Sequence, residues 1–117
     1  MSLKQHILNY NDNAPIPCPV PEWETTVFIR RIKAGERASW LGKYEQAQAT
    51  KSGEDMQACL LHLVLLCTVD EQGQQVFGPD DFNALADKSA TAIDRLLVAA
   101  VKANGLHGES VNEAKKN

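Results

Sequence analysis

Long apolar runs, clustered positive charge and paired cysteines are all scarce in these 117 residues, and each scarcity excludes something. The longest apolar stretch, residues 60–67, is interrupted by His62 and falls far short of the ~20 residues that cross a bilayer. Twelve Lys and Arg against fifteen Asp and Glu leave a formal net charge of −3. Duplex binding needs clustered cations to displace counterions, so neither nucleic acid nor a membrane is an expected partner. Three cysteines are too few, and odd in number, for a disulfide framework; reduced thiols inside a cell are expected. No secretion signal is expected after Met1. The seven glycines are scattered and none precedes a Lys-Ser or Lys-Thr pair, so no phosphate-cradling loop is expected. What remains, 44% hydrophobic and 23% charged, suits one foldable domain.

Leu3 and Ile7 are spaced to line one face of a short helix that Asn9, Asn11, Asp12 and Asn13 end. Prolines then alternate at positions 15, 17, 19 and 21. Each fixes φ and removes a donor, which predicts an extended arm outside any sheet, lying on its own surface or a neighbour's. Residues 25–32 read as a strand, with Val27, Ile29 and Arg31 on one side and Phe28, Arg30 and Ile32 on the other. Ala34-Gly35 breaks it, and a helix from Glu36 to about Ala49 follows, with Trp40, Leu41, Tyr44 and Ala47 on one face.

Ser52, with Asp55 three residues on, predicts the cap of a further helix. That helix carries Met56, Cys59, Leu60, Leu63, Val64 and Cys67 on one side and Leu61 and Leu65 on the other. Apolar on nearly every face, it is expected both to centre the core and to lend surface to another chain. Residues 70–73 predict a turn between two short arms, 67–69 and 75–77, with Gly73 at positive φ and either arm free to pair with the earlier strand. Pro79 opens a short helix, its dipole complemented by Asp80 and Asp81. A last helix, about 89–104, repeats Ile93, Leu96, Leu97, Ala100 and Val101, and Asn104-Gly105-Leu106 stops it. The expectation is an α+β fold: residues 1–21 as N-terminal segment and proline arm, 22–106 as one mainly helical domain with a small antiparallel sheet or hairpin, and 107–117 as a loose tail. There is no internal repeat.

Catalytic chemistry finds no foothold. No serine sits in a glycine-flanked elbow, and no cysteine has a histidine and an orienting acid beside it in the pattern. Cys59, His62 and Cys67 share one helix and invite a metal reading, but zinc sites draw ligand doublets from separate elements, so small buried thiols are favoured. No cofactor is expected. Arg30, Arg31 and Lys33 make a small basic cluster among Glu22, Glu24 and Glu36, read as a solvated strand edge or as arginines that bridge to a partner's acids.

Several short motifs occur in a fixed order: Val20-Pro21-Glu22-Trp23 before a strand, Val27-Phe28-Ile29-Arg30-Arg31-Ile32, then Ala34-Gly35-Glu36-Arg37. Val69-Asp70-Glu71-Gln72-Gly73, Val76-Phe77, Asp80-Asp81-Phe82, Ala84-Leu85 and Asn104-Gly105-Leu106 follow, and the sequence given closes on Glu113-Ala114-Lys115-Lys116-Asn117. From residue 20 to 117 this order resembles the tail assembly chaperone family of long-tailed bacteriophages; the proline arm and the cysteine-bearing helix lie outside the matched motifs. The resemblance implies a non-enzymatic protein of the host cytoplasm. It implies binding to the long, helical, apolar tape measure protein until tube subunits polymerise around it, and absence from the finished virion. It also implies a ribosomal frameshift that yields a longer product recruiting tail tube protein; Lys115-Lys116-Asn117 can be encoded by a slip-prone run of adenines.

The residues expected to meet partners are Pro21, Glu22, Trp23, Arg30 and Arg31 near the strand, with Leu61 and Leu65 as exposed apolar positions. Self-association into a homo-oligomer is expected from the apolar excess. Trp23 and Trp40 are the large anchors, each expected to pack first on its own subunit. The alternative function is a structural tail-completion or connector protein of the virion.

Overall fold

The β-branched run Thr25–Ile29 forms the middle strand of a three-stranded antiparallel sheet in the computed structural model, which describes residues 2–106. We number the helices and strands in chain order: α1 Leu3–Asn9, β1 Ile16–Val20, β2 Thr25–Ile29, α2 Ala34–Thr50, α3 Gly53–Cys67, β3 Thr68–Val69, α4 Phe82–Ala86 and α5 Ala90–Ala103. The fold is α+β, as the hydrophobic periodicities predict.

The proline-alternating segment is not a free arm. Its residues 16–20 are β1, paired with β2 in the register Ile16↔Ile29, Cys18↔Val27 and Val20↔Thr25. The reason lies in the period. A strand turns successive backbone groups to opposite sides, so prolines at 17 and 19 put both missing donors on the same edge. β1 is the outer strand, and that edge is the free one. Cys18 and Val20 are buried while Pro17 and Pro19 are exposed. An edge that lacks its donors is also a poor template for a foreign strand.

A 3₁₀ turn, Pro21–Trp23, and left-handed Glu24 (φ 51°) reverse the chain into β2. On the far side β2 pairs with β3 through Phe28↔Val69 and Ile29↔Thr68, and the Arg30 amide donates to the Cys67 carbonyl at 2.9 Å. The expected hairpin shrinks to a single bridge, Val69↔Gln75. Asp70 closes its turn by accepting from the amides of Gln72 and Gln74, both at 2.9 Å, with Gly73 at φ 82°.

α2 begins two residues earlier than expected, because the Glu36 carboxylate accepts from the Lys33 amide at 2.9 Å and caps the first turn. α3 starts at the Ser52 cap, whose hydroxyl accepts from the Asp55 amide. It is the central helix, packed against α2, α4 and α5. This overturns one expectation directly: Leu61 and Leu65 are 6% and 3% exposed, in the core rather than at the surface. Helices on several sides of α3 hide the second apolar face within the chain. The large apolar side chains left in solvent are elsewhere, chiefly on α1 and just after it.

α5 lies across β1 and β2. Gly105 (φ 64°) takes the left-handed cap, the Leu106 amide donates to the Val101 carbonyl at 2.8 Å, and Leu106 folds back into the core. Asn104 does more than stop the helix. Its Oδ1 accepts from the Ile32 amide at 2.7 Å, and its Nδ2 donates to the Ala100 carbonyl at 2.9 Å, tying α5 to the exit of β2. The expected loose tail, residues 107–117, lies outside the described residues.

Candidate functional site

The residues expected at a partner interface separate into two groups. Pro21, Glu22 and Trp23 form one turn, with Pro21 exposed and Trp23 half-buried. Glu22 accepts from Arg95 Nε at 2.8 and 3.0 Å, which ties this turn to α5 and holds the Glu22 carboxyl below its ordinary range.

Arg30 is occupied within its own chain. Its two terminal nitrogens meet both Glu36 oxygens at 2.9 Å, and its Nε donates to the Leu66 carbonyl at 2.9 Å. Such a bidentate pair fixes the guanidinium, so Arg30 joins the start of α2 to the end of α3 rather than reaching outward. The guanidinium holds the Glu36 carboxyl at about 2. Arg31 is exposed. It borders a hollow of about 680 Å³ with Tyr10, Asn13 and Lys33.

Trp23 lines an open apolar groove of about 470 Å³ together with Val76, Phe77, Ala84 and Leu85. Lys88 and Asp81 stand on its rim. The groove exists because the arm after Gly73 leaves the sheet after one bridge, so Val76 (47% exposed) and Phe77 have no strand to cover them. Sequence reasoning assigned Val76 and Phe77 to a hairpin and did not see this. The signal it had was Pro79 two residues after Phe77, too close to allow a full strand.

A second groove of about 390 Å³ runs between α3 and α5, walled by Met56, Leu60, Ile93 and Leu97 with buried Leu61 beneath. Lys88 stands beside both grooves. A further hollow holds Lys43, Asp55, Cys59 and His62. There Lys43 Nζ sits 3.4 Å from His62 Nε2, and burial together with that ammonium pushes the His62 pKa down. An ammonium so close opposes a second cation, and among the described residues no three His, Cys, Asp or Glu converge on a metal position. The three thiols belong to the core: burial raises the pKa of each, and Cys67 reaches about 11. No described helix is long and apolar enough to cross a membrane.

The geometry of the described residues is therefore one of apolar grooves and charged rims. No curated protein matches the chain. The solved structure of the bacteriophage HK97 tail assembly chaperone has a similar fold, with a TM-score of 0.61 over 86% of this chain and 90% of that one at 20% identity. The family model for phage tail assembly chaperones matches residues 2–117, taking in α1 and the proline strand that the sequence motifs left out. The chain belongs to the phage tail assembly chaperone family.

Proposed function

We propose that this chaperone binds the tape measure protein in the host cytoplasm and keeps it soluble until tube subunits enclose it. The observation that carries this reading is the Trp23–Phe77 groove. It is an open apolar trough with a cation and an anion on its rim, the shape into which an amphipathic helix lays its apolar face. Pro21 flanks Trp23 in the same turn, and the Glu22–Arg95 pair holds that turn against α5. Tail tube protein is recruited through a longer, frameshifted product, and several copies self-associate along one client. The chaperone leaves before the particle is complete.

The test is co-expression with the tape measure protein of the same phage. Wild-type chain is expected to move that protein from the pellet into the soluble fraction. Trp23→Ala and Phe77→Ser are expected to lose most of this effect while keeping their urea midpoints within reach of wild type. Equal solubility of the tape measure protein with and without the chaperone contradicts the reading. So does stoichiometric chain in purified particles by mass spectrometry, which is the outcome a tail-completion protein gives.

A further inference from the structure

The most exposed apolar side chains among the described residues include Leu3, Ile7, Leu8 and Tyr10, at 74%, 59%, 71% and 64% exposure. They lie on and just after α1, a helix with no buried residue. A seven-residue helix with no buried residue, capped by its Ser2–Gln5 box, is marginal in water, so its stability calls for a surface. The α3–α5 groove is such a surface. Its lining runs from Gly53 to Leu61 on one helix and from Ala90 to Leu97 on the other, about 12 Å of helix rise against about 10 Å for α1.

Charge agrees with length. On a helical wheel Lys4 falls between Ile7 and Leu8, so the apolar face of α1 carries one cation, and α1 has no acid. The groove presents one carboxylate, Asp94, among its apolar residues, with Lys88 at its edge.

We propose that α1 of one copy lies in the α3–α5 groove of a second copy, and that two copies exchange their N-terminal helices reciprocally. The proposal deepens the self-association put forward above and does not involve the Trp23 groove. The area is adequate. A fully buried large aliphatic side chain removes about 60–120 Å² from water. Leu3, Ile7, Leu8 and Tyr10, each about two-thirds exposed, with an equal groove surface and two reciprocal exchanges, together bury about 650–1,300 Å². That range reaches the lower end of the 1,200–2,000 Å² typical of specific interfaces.

Sedimentation equilibrium over a range of concentrations is the test. Wild-type chain is expected to dimerise or build larger assemblies. Leu3→Ser with Ile7→Ser alters only exposed side chains and is expected to weaken association by more than about a hundredfold. Lys4→Glu alone is expected to weaken it about two- to fivefold, and adding Asp94→Lys to restore it. For geometry, Leu8→Cys chains mixed with Leu97→Cys chains should form a disulfide at twice the monomer mass, since the native thiols are buried. A bond that forms only within a Leu8→Cys, Leu97→Cys double variant at monomer mass overturns the proposal, because α1 then occupies its own groove. Association unchanged by Leu3→Ser with Ile7→Ser overturns this docking while leaving self-association standing. A monomer at every concentration overturns both.

Discussion

Replacing Asn104 by Ala removes a single carboxamide and leaves one part-buried backbone amide, that of Ile32, without its partner. The Ile32 amide loses its acceptor at 2.7 Å, and the Ala100 carbonyl loses a side-chain donor at 2.9 Å but keeps the Asn104 backbone amide at 3.1 Å. The amide carries most of the cost, since an orphaned buried donor costs about 1–3 kcal/mol. Adding the contact with β2 that the side chain supplies, Asn104→Ala is expected to destabilise by about 2–3 kcal/mol. For a domain of this size that lowers Tm by about 8–15 °C. Asn104→Asp separates the two halves of the argument. It keeps the acceptor for Ile32 but turns an oxygen toward the Ala100 and Arg30 carbonyls, so it should also destabilise despite its near-identical shape. The assay is urea unfolding followed by tryptophan fluorescence at fixed protein concentration, which holds self-association constant. A loss under about 0.5 kcal/mol for Asn104→Ala would refute the claim that this side chain holds α5 to the sheet.

Three further outcomes follow from the same contacts. The Glu36 carboxyl sits at about 2 in the fold against 4.5 when free, so its contribution is complete above about pH 4.5 and is lost as pH falls toward 2. The shift bounds that contribution at about 3 kcal/mol, and solvent around a side chain 32% exposed reduces it to about 1–2 kcal/mol; acid titration of stability should therefore flatten in Glu36→Gln. Cys67, pushed up to about 11 by burial, should resist iodoacetamide at pH 8 until urea unfolds the chain; rapid labelling of native protein would show that the α3–β3 junction opens. Restoring donors to the free edge with Pro17→Thr and Pro19→Thr should leave the unfolding midpoint within about 1 kcal/mol but raise light scattering on warming. Unchanged scattering would mean the edge is guarded by something other than its prolines.

Helices were the most legible part of the sequence, because their boundaries are local chemistry. Ser52, Pro79, Ser89 and Gly105 each act within one turn, and each sits where its residue type requires. The sheet was half legible. The run at Thr25–Ile29 reads as a strand on its own, but whether prolines at 17 and 19 forbid a strand or merely orient one depends on whether β1 has a neighbour on both sides. That is a fact of topology. Burial around α3 was illegible for a related reason: an all-round apolar helix is equally compatible with an interface and with a chain that folds helices over several of its faces. Arg30 shows the same limit for charge. Glu36 lies six residues along, yet only the corner between β2 and α2 turns the pair into a bidentate contact.

The candidate grooves were therefore the least visible features. Trp23 was singled out, but Val76, Phe77 and Leu85 come together only because the second arm leaves the sheet early and α4 turns back beneath it. The apolar excess is real and sits in a different place: on α1 and in two grooves, one of them walled in part by Met56 and Leu60 of α3, while Leu61 and Leu65 are enclosed.

The central claim is that this chain offers apolar surface to a helical client, and calorimetric titration with a helical segment of the tape measure protein at several temperatures measures that burial directly. Saturable binding with a clearly negative heat-capacity change, lost in Trp23→Ala with Phe77→Ser, is the predicted result. Absence of binding, or binding whose enthalpy does not change with temperature, would contradict it.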